Sequence, residues 1–270
     1  MLTLAKKLSL DPLLISQLEK PDGTSQKKIS RLCEKCSGGD FSCLKKQNHL
    51  MRLAVILCLA KKAKEKYEEM GISDEIYYDT MSDIKIWCEN NQNRGLKNYG
   101  WLKNHVSMEL FRLGRLQFQL YECKNPTLLY HKLPFSYGER LLYVHIPQGQ
   151  KLEKELCIES IRMAEEFFKK YFPDFRYKCF FSETWLLNEG NREFMKSDSN
   201  IVSFMSLFDI HYSLPYQLQA IERIFGKKQL LKKNYPENTD LQKRAKAYML
   251  SGGKPGVGIG TIRRSDCSSK

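Results

Sequence analysis

The sequence has no long hydrophobic run. Its longest apolar stretch, Leu53 to Ala60, is bounded by Arg52 and Lys61 and falls far short of the ~20 residues that span a bilayer, which excludes a transmembrane helix. Residues 1–15 carry Lys6 and Lys7, but Asp11 and Pro12 interrupt the apolar residues beyond them, so they lack a signal-peptide core and a small-residue cleavage site. Proline and glycine are scarce, 9 and 16 of 270 residues, which excludes collagen-like and low-complexity architectures. Hydrophobic residues at 42% and aromatic residues at 11% likewise exclude a disordered chain. A disulfide framework is also missing: there are nine cysteines, an odd number, and Cys58, Cys88, Cys157 and Cys179 sit inside apolar segments. Free thiols there behave as small hydrophobes, which predicts a reducing, cytoplasmic location.

Positive charge is in excess. Lysine and arginine number 44 against 31 acidic residues, but the excess is spread through helices with interleaved glutamate, as in Lys61-Lys62-Ala63-Lys64-Glu65-Lys66. That pattern is a solvated helix face. No nucleic-acid motif or basic–aromatic stripe accompanies it, so no specific nucleic-acid partner is expected, and no membrane partner. Cys33, Cys36, Cys43 and His49 lie within seventeen residues and offer three thiolates and an imidazole. They match no standard zinc spacing, and Gly38-Gly39-Asp40 between them reads as a turn, so no metal is expected.

The chain reads as α+β, with an all-helical region over residues 1–113, a mixed α/β sheet domain over 114–263 and a flexible tail over 264–270. Asp11 caps a helix with Pro12 at its first position. A longer helix runs over 41–69, with Gly71 suited to end it. Another begins at Ser82-Asp83, and Leu102, Val106, Leu110 and Leu113 define a further helical stripe. After Gly114 the period becomes 2, with Leu116, Phe118 and Leu120 alternating with polar residues, a half-buried strand. Further strands are expected at 141–146, 177–181, 201–212 and 257–262. Helices are expected at 151–172, 185–187, 215–225 and 241–250. The glycine-rich stretch from Gly252 to Gly260 precedes a strand, so it reads as a helix cap and turn, without the context of a phosphate loop.

The segments Trp101-Leu-Lys-Asn-His105, Glu109-Leu-Phe-Arg-Leu-Gly-Arg-Leu-Gln-Phe118, Val144-His-Ile-Pro-Gln-Gly149, Phe167-Phe168, Trp185-Leu-Leu187 and Asp198-Ser-Asn-Ile201 resemble bacterial acyltransferase-domain proteins. That family joins a helical N-acyltransferase N-terminal domain to a GNAT-like C-terminal domain, and the resemblance covers roughly residues 80–263. It implies direct acyl transfer from acetyl-coenzyme A or another acyl-coenzyme A, as cosubstrate, to a small-molecule or peptide amine. The pyrophosphate of such a cosubstrate is then expected on the loop formed by Ile146, Gln148, Gly149, Gln150 and Lys151, at the start of the following helix, with charge from Lys154. That loop has one glycine where the standard motif has two, which keeps open a second reading, a non-catalytic scaffold that has lost the loop. Direct transfer needs a base, an oxyanion partner and an acid. His145, at the end of a strand, is the leading base, with a structural histidine hydrogen-bonded inside a packed sheet as its alternative. Glu109 is a second base or a partner for His105, with a salt bridge to Arg112 or Arg115 as its structural alternative. Asn200 is a candidate donor to the carbonyl oxygen, with capping as its structural alternative. Cys179 raises a covalent route for which no neighbouring base is evident. Acyl group, acceptor and oligomeric state stay open.

Overall fold

In the computed structural model of the chain, residues 1–19, 23–125, 128, 132–215 and 218–265 are described. They divide into two compact units, residues 1–119 with 146–148 and residues 120–145 with 149–270.

The first unit is mainly helical: α1 (Leu2–Lys7), α2 (Pro12–Leu18), α3 (Gly23–Ser37), α4 (His49–Glu69), α5 (Asp74–Met81), α6 (Asp83–Glu89) and α7 (Tyr99–Val106). Where capping signals are local, sequence and structure agree. Asp11 accepts from Leu13 N at 2.9 Å and Leu14 N at 3.3 Å with Pro12 first in the helix, as an N-cap should. The expected helix over 41–69 is in fact two pieces, a 3₁₀ turn Phe41–Leu44 and then α4. The break falls at Asn48, whose side chain accepts from Met51 N at 2.8 Å and starts the helix afresh. α4 is buried on several faces, with Leu53, Ala54, Val55, Ile56 and Leu57 all covered, which marks it as the central helix of the unit. Three further helices, α1, α3 and α5, lie outside the expected set. α3 is largely polar, and α5 is capped by Ser73 on Ile76 N.

A second correction concerns Leu110 and Leu113. The helical stripe that includes Leu102 and Val106 does not continue through them. α7 stops at Val106, Met108 takes a φ of +58°, and Leu110–Leu113 is a strand, β1, paired antiparallel with β2 (Leu116–Glu122). Gly114, at φ +67°, and Arg115 form the two-residue turn between Leu113 and Leu116, and a positive φ at the first turn residue suits a tight hairpin.

The remaining elements are β3 (Arg140–His145), α8 (Lys154–Tyr171), β4 (Cys179–Thr184), α9 (Asn191–Phe194), α10 (Asn200–Met205), β5 (Asp209–Pro215), α11 (Leu218–Phe225), α12 (Asp240–Leu250) and β6 (Gly256–Arg263), with a 3₁₀ turn at Trp185–Leu187. The six strands are ordered β1-β2-β3-β4-β6-β5 in one mixed sheet. β3 and β4 are parallel, joined through α8, while β4/β6 and β5/β6 are antiparallel. The expected strand over 201–212 is corrected here. Ser199 caps Val202 N at 3.3 Å and α10 buries Phe204 and Met205, so the apolar run starts as helix and becomes β5 only at Asp209. Residues 216–217 of the expected 215–225 helix lie outside the described residues.

Register assigns each side chain of the sheet to a face. Phe180 and Ser182 lie on the α8 side, where Tyr177 bridges Phe180 and Phe168 at centroid distances of 5.4 and 6.5 Å. Cys179, Phe181 and Ile259 lie on the other side, in a cluster with Cys123, Leu128, Phe135 and Leu141. The glycine-rich stretch has a packing role. A Cβ on Gly258 would stand 1.9 Å from the Leu187 carbonyl oxygen, so only glycine lets β6 pass the chain at that point. At the end of β6 the expected tail begins anchored. Arg264 Nη1 donates to the Tyr177 carbonyl at 2.9 Å and Ser265 N donates to Glu165 at 2.8 Å. Residues 266–270 lie outside the described residues.

Candidate active site

The site is built where β3 and β4 end. The parallel strands pair at Leu142↔Phe180 and Tyr143↔Phe181. One step on, the Val144 carbonyl takes its hydrogen bond at 2.9 Å from the buried Ser182 hydroxyl. The Tyr143 hydroxyl donates to the Glu183 carbonyl at 3.2 Å. Side chains thus take over from the ladder at the carboxyl ends of the two strands, the place where α/β folds hold ligands.

His145 is the last residue of β3 and is half-buried. Its imidazole stacks on Tyr143 at 4.1 Å with an interplanar angle of 24°. Tyr143 in turn meets Tyr121 at 5.4 Å and Phe181 at 4.9 Å. The result is an aromatic column on the face away from α8, with a titratable ring at its end. Glu183 follows Phe181 by two residues, as His145 follows Tyr143, so both side chains fall on that face of the sheet. Burial raises the Glu183 carboxyl above its ordinary value of 4.5. Burial also raises both tyrosines, Tyr143 to a value above the ordinary phenol range, and the negative charge of Glu183 adds to the effect on each.

Glu183 gives a testable pH dependence. Because its folded-state pKa is raised, the folded chain binds the extra proton between the ordinary and the raised values, so its ionisation lowers stability as pH rises through that interval. Glu183→Gln removes the ionisation. The variant is expected to melt higher than the parent at neutral pH and to coincide with it below about pH 4, as thermal melts across pH will show.

The loop after β3 is shared between the units. Residues 146–148 belong to the first, where Arg115 Nη1 donates to the Pro147 carbonyl at 3.0 Å and Asn90 Nδ2 donates to Gln148 Oε1 at 2.9 Å. Arg115 is therefore buried and holds the loop backbone. Gly149, in the second unit, is exposed at φ +111° with open space where a Cβ would point. Gln150 and Lys151 are exposed on the same stretch, and α8 starts three residues later than expected, with Lys154 as its first residue and no side chain capping it.

Other expected site residues fall elsewhere. Asn200 is exposed on α10; this helix leads through Phe204 to Phe208, against which Gly260 packs on the α8 side of the sheet, so the fold does not bring Asn200 to His145. Glu109 lies in the first unit, between α7 and β1, and does not face His105. The His105 ring takes Asp83 instead, Nε2 to Oδ2 at 3.1 Å, with Nδ1 facing the Trp101 carbonyl at 3.3 Å. With His105 and Asp83 at 0% and 3% exposure, this His–Asp pair has no access to a substrate. Cys179 is buried and its thiol is pushed up to about 11 by that burial, which leaves it inert at neutral pH. The four residues of the zinc-like spacing separate: Cys33 lies 3.2 Å from Cys58, Cys36 lies 3.6 Å from Cys43, and His49 Nδ1 lies 3.0 Å from Asn91. No group of three or more metal-ligating side chains occurs among the described residues.

Comparison with known proteins bears on this geometry. The model of a GNAT-like C-terminal domain matches residues 110–262. The chain belongs to the GNAT-like C-terminal domain family. The model of an N-acyltransferase N-terminal domain matches residues 3–108, so the first strand of the GNAT-like domain is β1. Among solved structures, the chain is similar to an acyltransferase in complex with decanoyl-CoA and teicoplanin, at 20% identity and TM-score 0.78, covering 97% of this chain and 86% of that one. It is also similar to a substituted acyltransferase in complex with octanoyl-CoA, at 20% identity and TM-score 0.77 with the same coverage. No curated protein matches the chain. No helix among the described residues is long and apolar enough to cross a membrane.

Proposed function

We propose that this GNAT-like protein is an acyl-coenzyme A dependent N-acyltransferase that moves an acyl group directly to an amine, with His145 as the base. The observation that carries the reading is the position of His145. It ends the strand that leads through the loop to α8, half-buried at the end of an aromatic column and on the same face of the sheet as Glu183. An amine acceptor arrives as its ammonium and must lose a proton before its nitrogen can attack the thioester carbonyl. Imidazole exchanges protons near neutral pH, and the stack on Tyr143 fixes the plane of the ring. Collapse of the tetrahedral adduct expels the coenzyme A thiolate, which takes a proton in turn, so no covalent enzyme intermediate is needed.

Gly149 to Lys151 and the first turn of α8 are the proposed cradle for the pyrophosphate. The open space at Gly149 admits a phosphate close to the backbone, and Lys151 and Lys154 supply positive charge. The structural neighbours bound to decanoyl-CoA and octanoyl-CoA support an acyl-coenzyme A as the donor, and the neighbour bound to teicoplanin supports a small-molecule acceptor.

Calorimetric titration with coenzyme A, acetyl-CoA and decanoyl-CoA tests the proposal, with an adenosine bisphosphate control and a salt series. Saturable one-to-one binding that needs the pantetheine arm and survives moderate salt is the expected result. Binding that vanishes with salt would mark non-specific attraction to the basic surface and leave the scaffold reading in its place.

A further inference from the structure

The helical unit holds two pairs of thiols that the acyl-transfer reading does not use. Cys33 on α3 donates its S–H to Cys58 Sγ on α4 at 3.2 Å, and Cys36 on α3 lies 3.6 Å from Cys43. All eight described cysteines are unbridged. The two sulfurs of the first pair differ in access. Cys58 lines a cavity of about 470 Å³ together with Leu18, Gln26, Ile29 and Ser30, whereas Cys33, one hydrogen bond behind it, is buried at 1% exposure. One sulfur therefore faces incoming solutes and the other waits within reach.

We infer that Cys33 and Cys58 form a thiol-oxidation site, with Cys58 as the sulfur that meets a small hydroperoxide and Cys33 as the sulfur that resolves it into a disulfide.

The chemical environment agrees with that division of labour. The hydrogen bond from Cys33, followed by the charges of Lys62 and Lys61, lowers the Cys58 thiol from 9.0 to about 6, against the opposing effect of burial. The other shifted thiols move the opposite way. Burial, then the hydrogen bond with Cys43, pushes Cys36 up to about 12, and burial pushes Cys88 to about 12 and Cys179 to about 11. In the first step the Cys58 thiolate attacks the outer peroxide oxygen. The O–O bond breaks, the leaving alkoxide takes a proton from solvent, and Cys58 becomes a sulfenic acid. The Cys33 sulfur then attacks Cys58, the S–O bond breaks, and hydroxide leaves as water with the Cys33 proton. Two thiols are oxidised by two electrons and one hydroperoxide is reduced to an alcohol and water. The sulfurs need to close from 3.2 Å to ~2.05 Å, and the product ties α3 to α4.

The reduced full-length chain is treated with a few equivalents of hydrogen peroxide and digested without reduction, and the linked peptides are identified by mass. Cys33–Cys58 is expected as the first linkage. Cys33→Ser is expected to stop at a dimedone-reactive Cys58. Independently of any variant, timed alkylation with iodoacetamide at pH 7 is expected to label Cys58 several-fold faster than an ordinary free thiol, since its higher thiolate fraction outweighs its lower nucleophilicity. A first linkage elsewhere overturns the inference, as does a Cys58 that alkylates no faster than Cys36 or Cys43. None of these readouts depends on acyl transfer.

Discussion

His145→Ala is expected to lower kcat for acyl transfer by about 10²–10⁴-fold, the range typical of losing a positioned general base, while leaving acyl-coenzyme A affinity unchanged. The two effects separate because the imidazole and the proposed phosphate cradle occupy different parts of the chain. The ring belongs to β3 and rests on Tyr143 at 4.1 Å, whereas the cradle is the backbone from Gly149 to the first turn of α8. His145 is half-buried at the end of its strand, so truncation to alanine removes little buried surface and a folded variant is expected. Steady-state kinetics across pH check the chemistry and calorimetry checks binding. In the parent, activity should rise with pH as the base becomes neutral, and that acid limb should disappear in the variant. A folded His145→Ala protein with parental kcat would remove the histidine from the reaction.

How much of the fold and site is legible in the sequence depends on whether the signal is local. The α2 start is encoded in two adjacent residues, Asp11 and Pro12, and the structure has it there. The strand that ends at His145 is also legible, because an apolar run stopped by Pro147 marks its end. Leu110 and Leu113 mislead because they continue the spacing of Leu102 and Val106. What makes them a strand is the pairing of Leu110 with Gln119 and Leu113 with Leu116, a partnership that periodicity cannot see. Ile201 and Val202 mislead for the converse reason. Their β-branched side chains favour a strand, but the Ser199 cap and the burial of Phe204 and Met205 decide for a helix. Glu183 escapes a reading of the sequence altogether. That it shares a sheet face with His145 emerges only after β3 and β4 are laid parallel, and the one local signal is a carboxylate following the apolar run Cys179-Phe180-Phe181 in a strand.

The largest loss of stability is expected at Asp83, in the helical unit. Its Oδ2 accepts from Trp101 Nε1 at 2.9 Å and meets His105 Nε2 at 3.1 Å. Burial works to raise this carboxyl, but the hydrogen bond and charge of His105, with the bond from Trp101, hold it below its ordinary value of 3.8. Asp83→Ala strands two buried donors, a ring N–H and an indole N–H, and is expected to cost about 3–5 kcal/mol, the usual loss when one partner of a buried pair is removed. That is a large share of the ~5–15 kcal/mol that holds a domain folded. Asp83→Asn keeps an acceptor oxygen for Trp101 and is expected to cost less. The sign of the pH effect comes from the lowered pKa. The contribution of Asp83 is complete above its ordinary value and is lost as pH falls through the folded value. Urea melts should therefore place the Asp83→Asn and parental chains farthest apart at neutral pH and bring them together in acid. An alanine variant with the parental urea midpoint would show that the α6–α7 contact is held by packing, with the ion pair contributing nothing.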